Sequence, residues 1–287
     1  MIKIDSLTKK YGDFYALKDF SLEIPEGTIF GLLGVNGAGK TTLLSILNGL
    51  VNFDSGSVEV FSYDLKTQKK EIKAISSIIP QNLAFYEQLS VKENLDFFAS
   101  IQKSSQDSLQ RSIEVNSLKE ILHQKASTLS GGQKRRLNIA IGLLNNPKII
   151  YFDEPTVGVD PRSRGEILDS IKSYKEMGIT VIYTSHYMHE IEYLCDEVAI
   201  INQGELIKHD KLDNLLSNRV SDKVLIETIA NAKTASLKVK LLEKNFIETT
   251  QEKLCEVLNI LDENAIFVKQ IKYGTTDLEN YFLKVTE

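Results

Sequence analysis

The chain has 287 residues, 42% hydrophobic and 25% charged, a balance that fits a folded water-soluble protein and excludes a disordered or fibrous one. Its 34 basic and 39 acidic residues give a net charge of −5, so no global basic field points to nucleic acid and no such partner is expected. Two cysteines, Cys195 and Cys255, are too few for a disulfide framework, no apolar run approaches the ~18 residues of a membrane helix, and residues 1–5 lack the apolar stretch of a signal peptide; a cytoplasmic protein is expected.

In chain order, residues 2–4 and 20–24 alternate apolar and polar side chains, as an antiparallel flank does. Short apolar runs at 28–33, 75–79, 149–152 and 180–184 read as buried parallel strands, and helical patterns at 40–50, 164–175 and 188–195 follow several of them. This alternation predicts a parallel sheet covered by helices. Residues 82–146 are mostly helical, most clearly at 87–101 and 133–144, with a polar loop at 103–108, and are expected to form an inserted helical lobe. All five prolines and 15 of the 16 glycines lie at or before Gly204, which places a boundary near 217–221. An α/β body over 1–217 is therefore expected, followed by a small α+β extension over 218–287. In that extension 224–226 and 266–271 read as strands, and 235–244 and 251–261 as helices.

Gly34-Val35-Asn36-Gly37-Ala38-Gly39-Lys40-Thr41 matches the pattern G-x-x-x-x-G-K-[ST] between a predicted strand and a predicted helix. Glycines let backbone amides curl around a phosphate at the positive end of the new helix. Lys40 would reach the β and γ phosphates, and the Thr41 hydroxyl a Mg²⁺ ion. A nucleoside triphosphate is the implied ligand. The apolar run at 149–152 delivers Asp153, placed to hold the metal, and Glu154, placed to polarise an attacking water. In Leu129-Ser130-Gly131-Gly132-Gln133, Ser130 is a natural helix cap and the two glycines leave the first amides open to an anion.

Together the loop, residues 129–133 and Asp153-Glu154-Pro155-Thr156 resemble the nucleotide-binding subunit of ATP-binding cassette (ABC) transporters, over about residues 1–217. The resemblance implies a P-loop ATPase using ATP and Mg²⁺ as a head-to-tail dimer. In trans, Ser130, Gly131, Gly132 and Gln133 of one chain would face the ATP held by Gly34, Asn36, Gly37, Ala38, Gly39, Lys40, Thr41 and Thr42 of the other. It further implies that Tyr11 stacks on adenine, that Gln81 contacts Mg²⁺ and relays closure to a membrane subunit, and that Asp160 crosses to the partner chain. Glu154 and His186 would be the catalytic pair, and Thr41, Gln81 and Asp153 the metal ligands.

A second identical cassette chain is expected rather than a different one, with separate transmembrane permease subunits that select the cargo. Such a subunit sits peripherally on the inner face of the cell membrane. The runs 153–162 and 185–192, and the ending 277–283, are similar to the bacterial branch that includes drug-resistance exporters. The alternative is a soluble cassette ATPase acting on ribosomes or DNA, and the extension is read as regulatory, dimer-stabilising or a simple cap. His123, His189 and His209 match no motif and are expected at the surface. Lys134-Arg135-Arg136 is expected to be a solvated helix face.

Overall fold

In a computed structural model, the residues described are 1–217, 223–229, 240–243, 246–264, 266–273 and Phe282. The chain divides into two compact units, Met1–Leu212 and Asp213–Glu287.

The first unit starts with β1 (Ile2–Tyr11) and β2 (Phe14–Ile24), paired antiparallel across a tight hairpin. Alternation, reset by a register shift between Ile4 and Leu7, sends Ile2, Ile4, Leu7, Leu17, Phe20 and Leu22 into the core. The strand β3 (Ile29–Leu33) is buried at every position and runs through the glycine loop into α1 (Lys40–Leu47). Next come β4 (Ser55–Val60) and β5 (Tyr63–Asp64), which complete an antiparallel sheet of order β2-β1-β4-β5. The helix α2 (Lys69–Ile75) leads to β6 (Ser76–Ile79).

A helical lobe follows, built of α3 (Val91–Gln102), α4 (Gln106–Val115) and α5 (Gly131–Leu143) around Val91, Leu95, Leu118, Leu137 and Leu144. The predicted loop at 103–108 is shorter than expected. Ser105 accepts a hydrogen bond from the Ser108 amide at 3.1 Å and starts α4, so a serine-rich stretch here is a cap rather than a linker.

The chain then returns to the sheet through β7 (Ile149–Asp153), α6 (Pro161–Glu176), β8 (Thr180–Thr184), α7 (Met188–Leu194), β9 (Glu197–Asn202), β10 (Glu205–Lys211) and α8 (Leu212–Ser217). The central sheet has the order β10-β9-β3-β8-β7-β6, parallel except for the β9–β10 hairpin. The carboxyl ends of β3, β8 and β7 are thus neighbours, and the turns that leave them share one edge, where open α/β sheets bind ligands.

In the second unit β11 (Lys223–Thr228), β12 (Lys240–Glu243), β13 (Phe246–Thr250), α9 (Leu254–Glu263) and β14 (Val268–Tyr273) form an antiparallel sheet of order β12-β13-β11-β14 with a helix. Its core is Val224, Ile226, Ile247, Leu254, Val257 and Leu261. The helix expected at 235–244 is overturned at its end: Lys240–Glu243 is a strand paired with β13, Leu241 opposite Ile247. Pairing with a neighbour overrides a short helical pattern. Residues 235–239 and Lys244 lie outside the described residues, as does 277–283 except for Phe282.

Candidate active site

The loop between β3 and α1 holds its shape through Gly39, whose φ is 109° and where an added Cβ would stand 2.3 Å from the Ala16 carbonyl oxygen. Only glycine meets both demands. Lys40, 6% exposed, folds back over the loop and donates from Nζ to the carbonyls of Gly34 and Val35 at 2.7 and 3.2 Å. Burial lowers its pKa from the ordinary lysine value, offset in part by the carboxylates of Glu154 and Asp153. A cleft of about 430 Å³ opens over the loop, lined by residues 36–42, Tyr11, Phe14, Ala16, Gln81, Asp153 and Glu154.

Within it, Thr41 Oγ1 donates to Asp153 Oδ2 at 2.9 Å, joining the start of α1 to the end of β7. Asp153 Oδ1 lies 3.1 Å from the Thr184 hydroxyl at the end of β8, and the same hydroxyl accepts from the Glu154 amide at 3.0 Å. Glu154 has φ 48°, a left-handed conformation that costs a residue with a Cβ about 1 kcal/mol or more. The Thr184 contact and the strand end hold it there. Its carboxylate lies 3.4 Å from His186 Nδ1, which approaches from the turn after β8.

Residues 130–133 are not among the lining of this cleft. They form a closed capping box: the Gln133 amide donates to Ser130 Oγ at 3.3 Å and the Ser130 amide to Gln133 Oε1 at 2.9 Å. The amides of Ser130 and Gln133 are therefore satisfied within the chain. Ser130 and Gly131 are exposed, and an added Cβ on Gly131 would meet only the Gly158 oxygen at 3.8 Å. Gly132 differs, because its Cβ would stand 2.3 Å from the Ser163 side chain on the first turn of α6. That glycine is required by helix packing within the chain. Asp160 caps α6, accepting from the Ser163 amide at 3.0 Å, and the hydrogen bonding of Ser163 lowers its carboxyl pKa.

The structure thus brings Tyr11, Asn36, Gly37, Ala38, Gly39, Lys40, Thr41, Thr42, Gln81, Asp153 and Glu154 to one cleft, with His186 against Glu154. It leaves Gly34, which is buried at the start of the loop, and residues 130–133 and Asp160 outside the lining. Phe14 and Ala16 also line the cleft, although no motif in the sequence marks them. Phe14 pairs in register with Tyr11 across the β1–β2 hairpin and is 59% exposed, so two aromatic rings stand at the cleft mouth.

Two surface expectations fail. Lys134-Arg135-Arg136 is no solvated face: Arg135 is 5% exposed and donates to the Pro80 and Gln81 carbonyls at 2.9 and 2.6 Å, while Lys134 pairs with Glu87 and Arg136 with Glu166. With Asn138, which accepts from the Ala84 amide at 2.8 Å, Arg135 ties the Gln81 segment to α5. His209 is half-buried, 2.9 Å from Glu197 and tilted against Phe30.

A phosphate loop at a sheet switch point, with a threonine–aspartate pair beneath it, defines a P-loop nucleotide-binding domain. The ABC transporter family profile matches residues 17–157. The linearmycin resistance ATP-binding protein LnrL of Bacillus subtilis (strain 168) is 39% identical over 241 residues, covering 83% of this chain and 78% of that protein. The daunorubicin resistance ATP-binding protein DrrA3 of Streptomyces coeruleorubidus is 29% identical over 99% of this chain and 95% of its own. Among solved structures, the dimeric post-hydrolysis state of the ATP-binding cassette MJ0796, bound to ADP and Pi, superposes with a TM-score of 0.66 at 26% identity, over 74% of this chain and 99% of that one. The chain belongs to the family of ABC transporter ATP-binding proteins.

Proposed function

We propose that this chain is the ATP-hydrolysing subunit of an exporter and works as a head-to-tail homodimer with two shared ATP sites. One observation carries the reading. Lys40, Thr41, Asp153 and Glu154 converge on a single cleft, while Ser130 and Gly131 face solvent outside it, as donors intended for another chain would. Each protomer would hold the phosphates on its own loop, and the partner's Ser130 side and first helical amides would complete the shell around the γ-phosphate.

The donor set suits Mg²⁺. Thr41 Oγ1 and Asp153 Oδ2 lie 2.9 Å apart and Gln81 lines the same cleft, all supplying hard oxygen donors. Among the described residues no group of three or more His, Cys, Asp or Glu could hold a metal by itself, so phosphate oxygens would share the ion, as Mg²⁺ sites generally arrange. When bound, Mg²⁺ neutralises phosphate charge. Lys40 adds a fixed cation beside it. Glu154 then accepts a proton from the attacking water, whose oxygen bonds the γ-phosphorus as the bond to the β–γ bridging oxygen breaks, giving ADP and phosphate. His186, with Nδ1 towards Glu154, would offer Nε2 to the γ-phosphate.

Transport would run through separate transmembrane subunits at the inner face of the cell membrane, with residues 1–217 as the motor and 218–287 as a regulatory or dimer-stabilising extension. Export is supported by the resistance proteins LnrL and DrrA3. Copurification from detergent-solubilised membranes is expected to recover a hydrophobic multi-span protein. Recovery of ribosomal proteins in its place would overturn the transport reading.

A further inference from the structure

Behind the cleft, the side chain of Glu190 on α7 is 0% exposed and collects three hydroxyl donors from two segments of the chain, the Thr156 turn and the end of β8. Thr156 donates to Oε1 at 2.7 Å, and Tyr183 and Ser185 donate to Oε2 at 2.8 and 2.6 Å. Arg164 Nε lies 3.5 Å from Oε1, an ion-pair distance without hydrogen-bond alignment, and its guanidinium covers the Tyr187 ring at 4.5 Å. Ser185 Oγ also accepts from the Tyr187 amide at 2.9 Å, so the turn that carries His186 is fixed from both sides.

The partners are not scattered at random. Thr156 follows Glu154 by two residues, Ser185 immediately precedes His186, and Arg164 follows Asp160 by one helical turn. Glu190 itself does not line the cleft, so it is no reacting group. A carboxylate removed from water is costly unless several donors meet it, and an apolar side chain of the same volume often serves a core as well. What an apolar side chain cannot do is hydrogen-bond the Thr156 and Ser185 turns together and hold the Arg164 guanidinium beside them by charge.

We infer that Glu190 is a positioning residue for ATP hydrolysis, its buried carboxylate holding the Glu154 loop, the His186 turn and the first turn of α6 in one register. Glu154 and His186 then meet only while the Asp160 segment is in place. This rests on the ATPase reading of Glu154 and His186 given above.

The test uses the purified full chain, with phosphate release for turnover, a fluorescent ATP analogue for affinity and thermal melting for the fold. Glu190→Gln keeps the volume and is expected to lower kcat by about tenfold or more while affinity changes less than about threefold. Ser185→Ala leaves the carboxylate two donors and Arg164, keeps the fold, and frees only the His186 turn. Its kcat is expected to fall by about fivefold, and in a His186→Ala background, followed under single turnover, the extra loss should vanish because the two residues act as a unit. Unchanged kcat in folded Ser185→Ala, or equal losses in both backgrounds, overturns the inference. If instead Glu154→Gln and His186→Ala both turn over at the wild-type rate, the ATPase assignment itself falls.

Discussion

The phosphate-loop half of the site and the residue 130–133 half are built in opposite ways. The first is assembled from afar: Thr41 and Asp153 are 112 residues apart, and Glu154 and Thr184 meet across 30. Its side chains point into one cleft, where Lys40 stays buried although desolvation works against its charge. The second is made locally, by a capping box closing over three residues, and it points to solvent. Even its two glycines obey different rules, Gly131 facing open space and Gly132 pressed on Ser163. The contrast teaches that one half is a pocket lined from distant segments and the other an exposed helix start outside it, the pattern on which the proposed two-chain site rests.

Substitutions can break this contrast at graded strength. Glu154→Gln should have the largest effect, lowering kcat about 10³-fold with ATP affinity retained, since a positioned general base contributes about 10²–10⁴-fold. Phosphate release and equilibrium nucleotide binding check it together. Lys40→Met should weaken ATP binding by about 10–100-fold, the loss of a charge-assisted contact, without lowering the melting temperature of the nucleotide-free chain. Because burial lowers the folded-state pKa of Lys40, the folded chain releases that proton before the unfolded chain does. Wild-type stability should therefore gain on Lys40→Met as pH rises towards 10.5, the unperturbed lysine value. Gly132→Ala should act on stability first, costing about 1–3 kcal/mol in denaturant melts as the new Cβ meets Ser163. Ser163→Gly in that background should restore part of the loss. If it restores nothing, the glycine answers to something other than α6.

Much of this is legible in the sequence, and the reason is spacing. The phosphate loop, the Asp153-Glu154 pair and the Ser130 cap are contiguous strings whose chemistry depends on neighbours in sequence. Strand ends at Asp153 and Thr184 follow from apolar runs that stop there. What escaped depends on partners far along the chain. Arg135 looks like one charge in a basic run, and only the carbonyls of Pro80 and Gln81, 55 and 54 residues away, make it a buried clamp. Glu190 looks like the polar face of a short helix until Thr156 and Ser185 close on it. Phe14 lies outside the alternating runs at 2–4 and 20–24, and only its pairing with Tyr11 across the hairpin brings it to the cleft. In the second unit, the strand Lys240–Glu243 is set by pairing with β13.

The split site is tested most directly by mixing two inactive variants. Lys40→Met disables the phosphate half, and Gly131→Glu places a negative, bulky side chain over the exposed helix amides where the fold leaves room for it. Each alone should be inactive as a homodimer. An equal mixture should regain about a quarter of the wild-type turnover, because half of the symmetric pairs become mixed and each mixed pair carries one intact site of two. A mixture no faster than its two components measured separately would contradict the account.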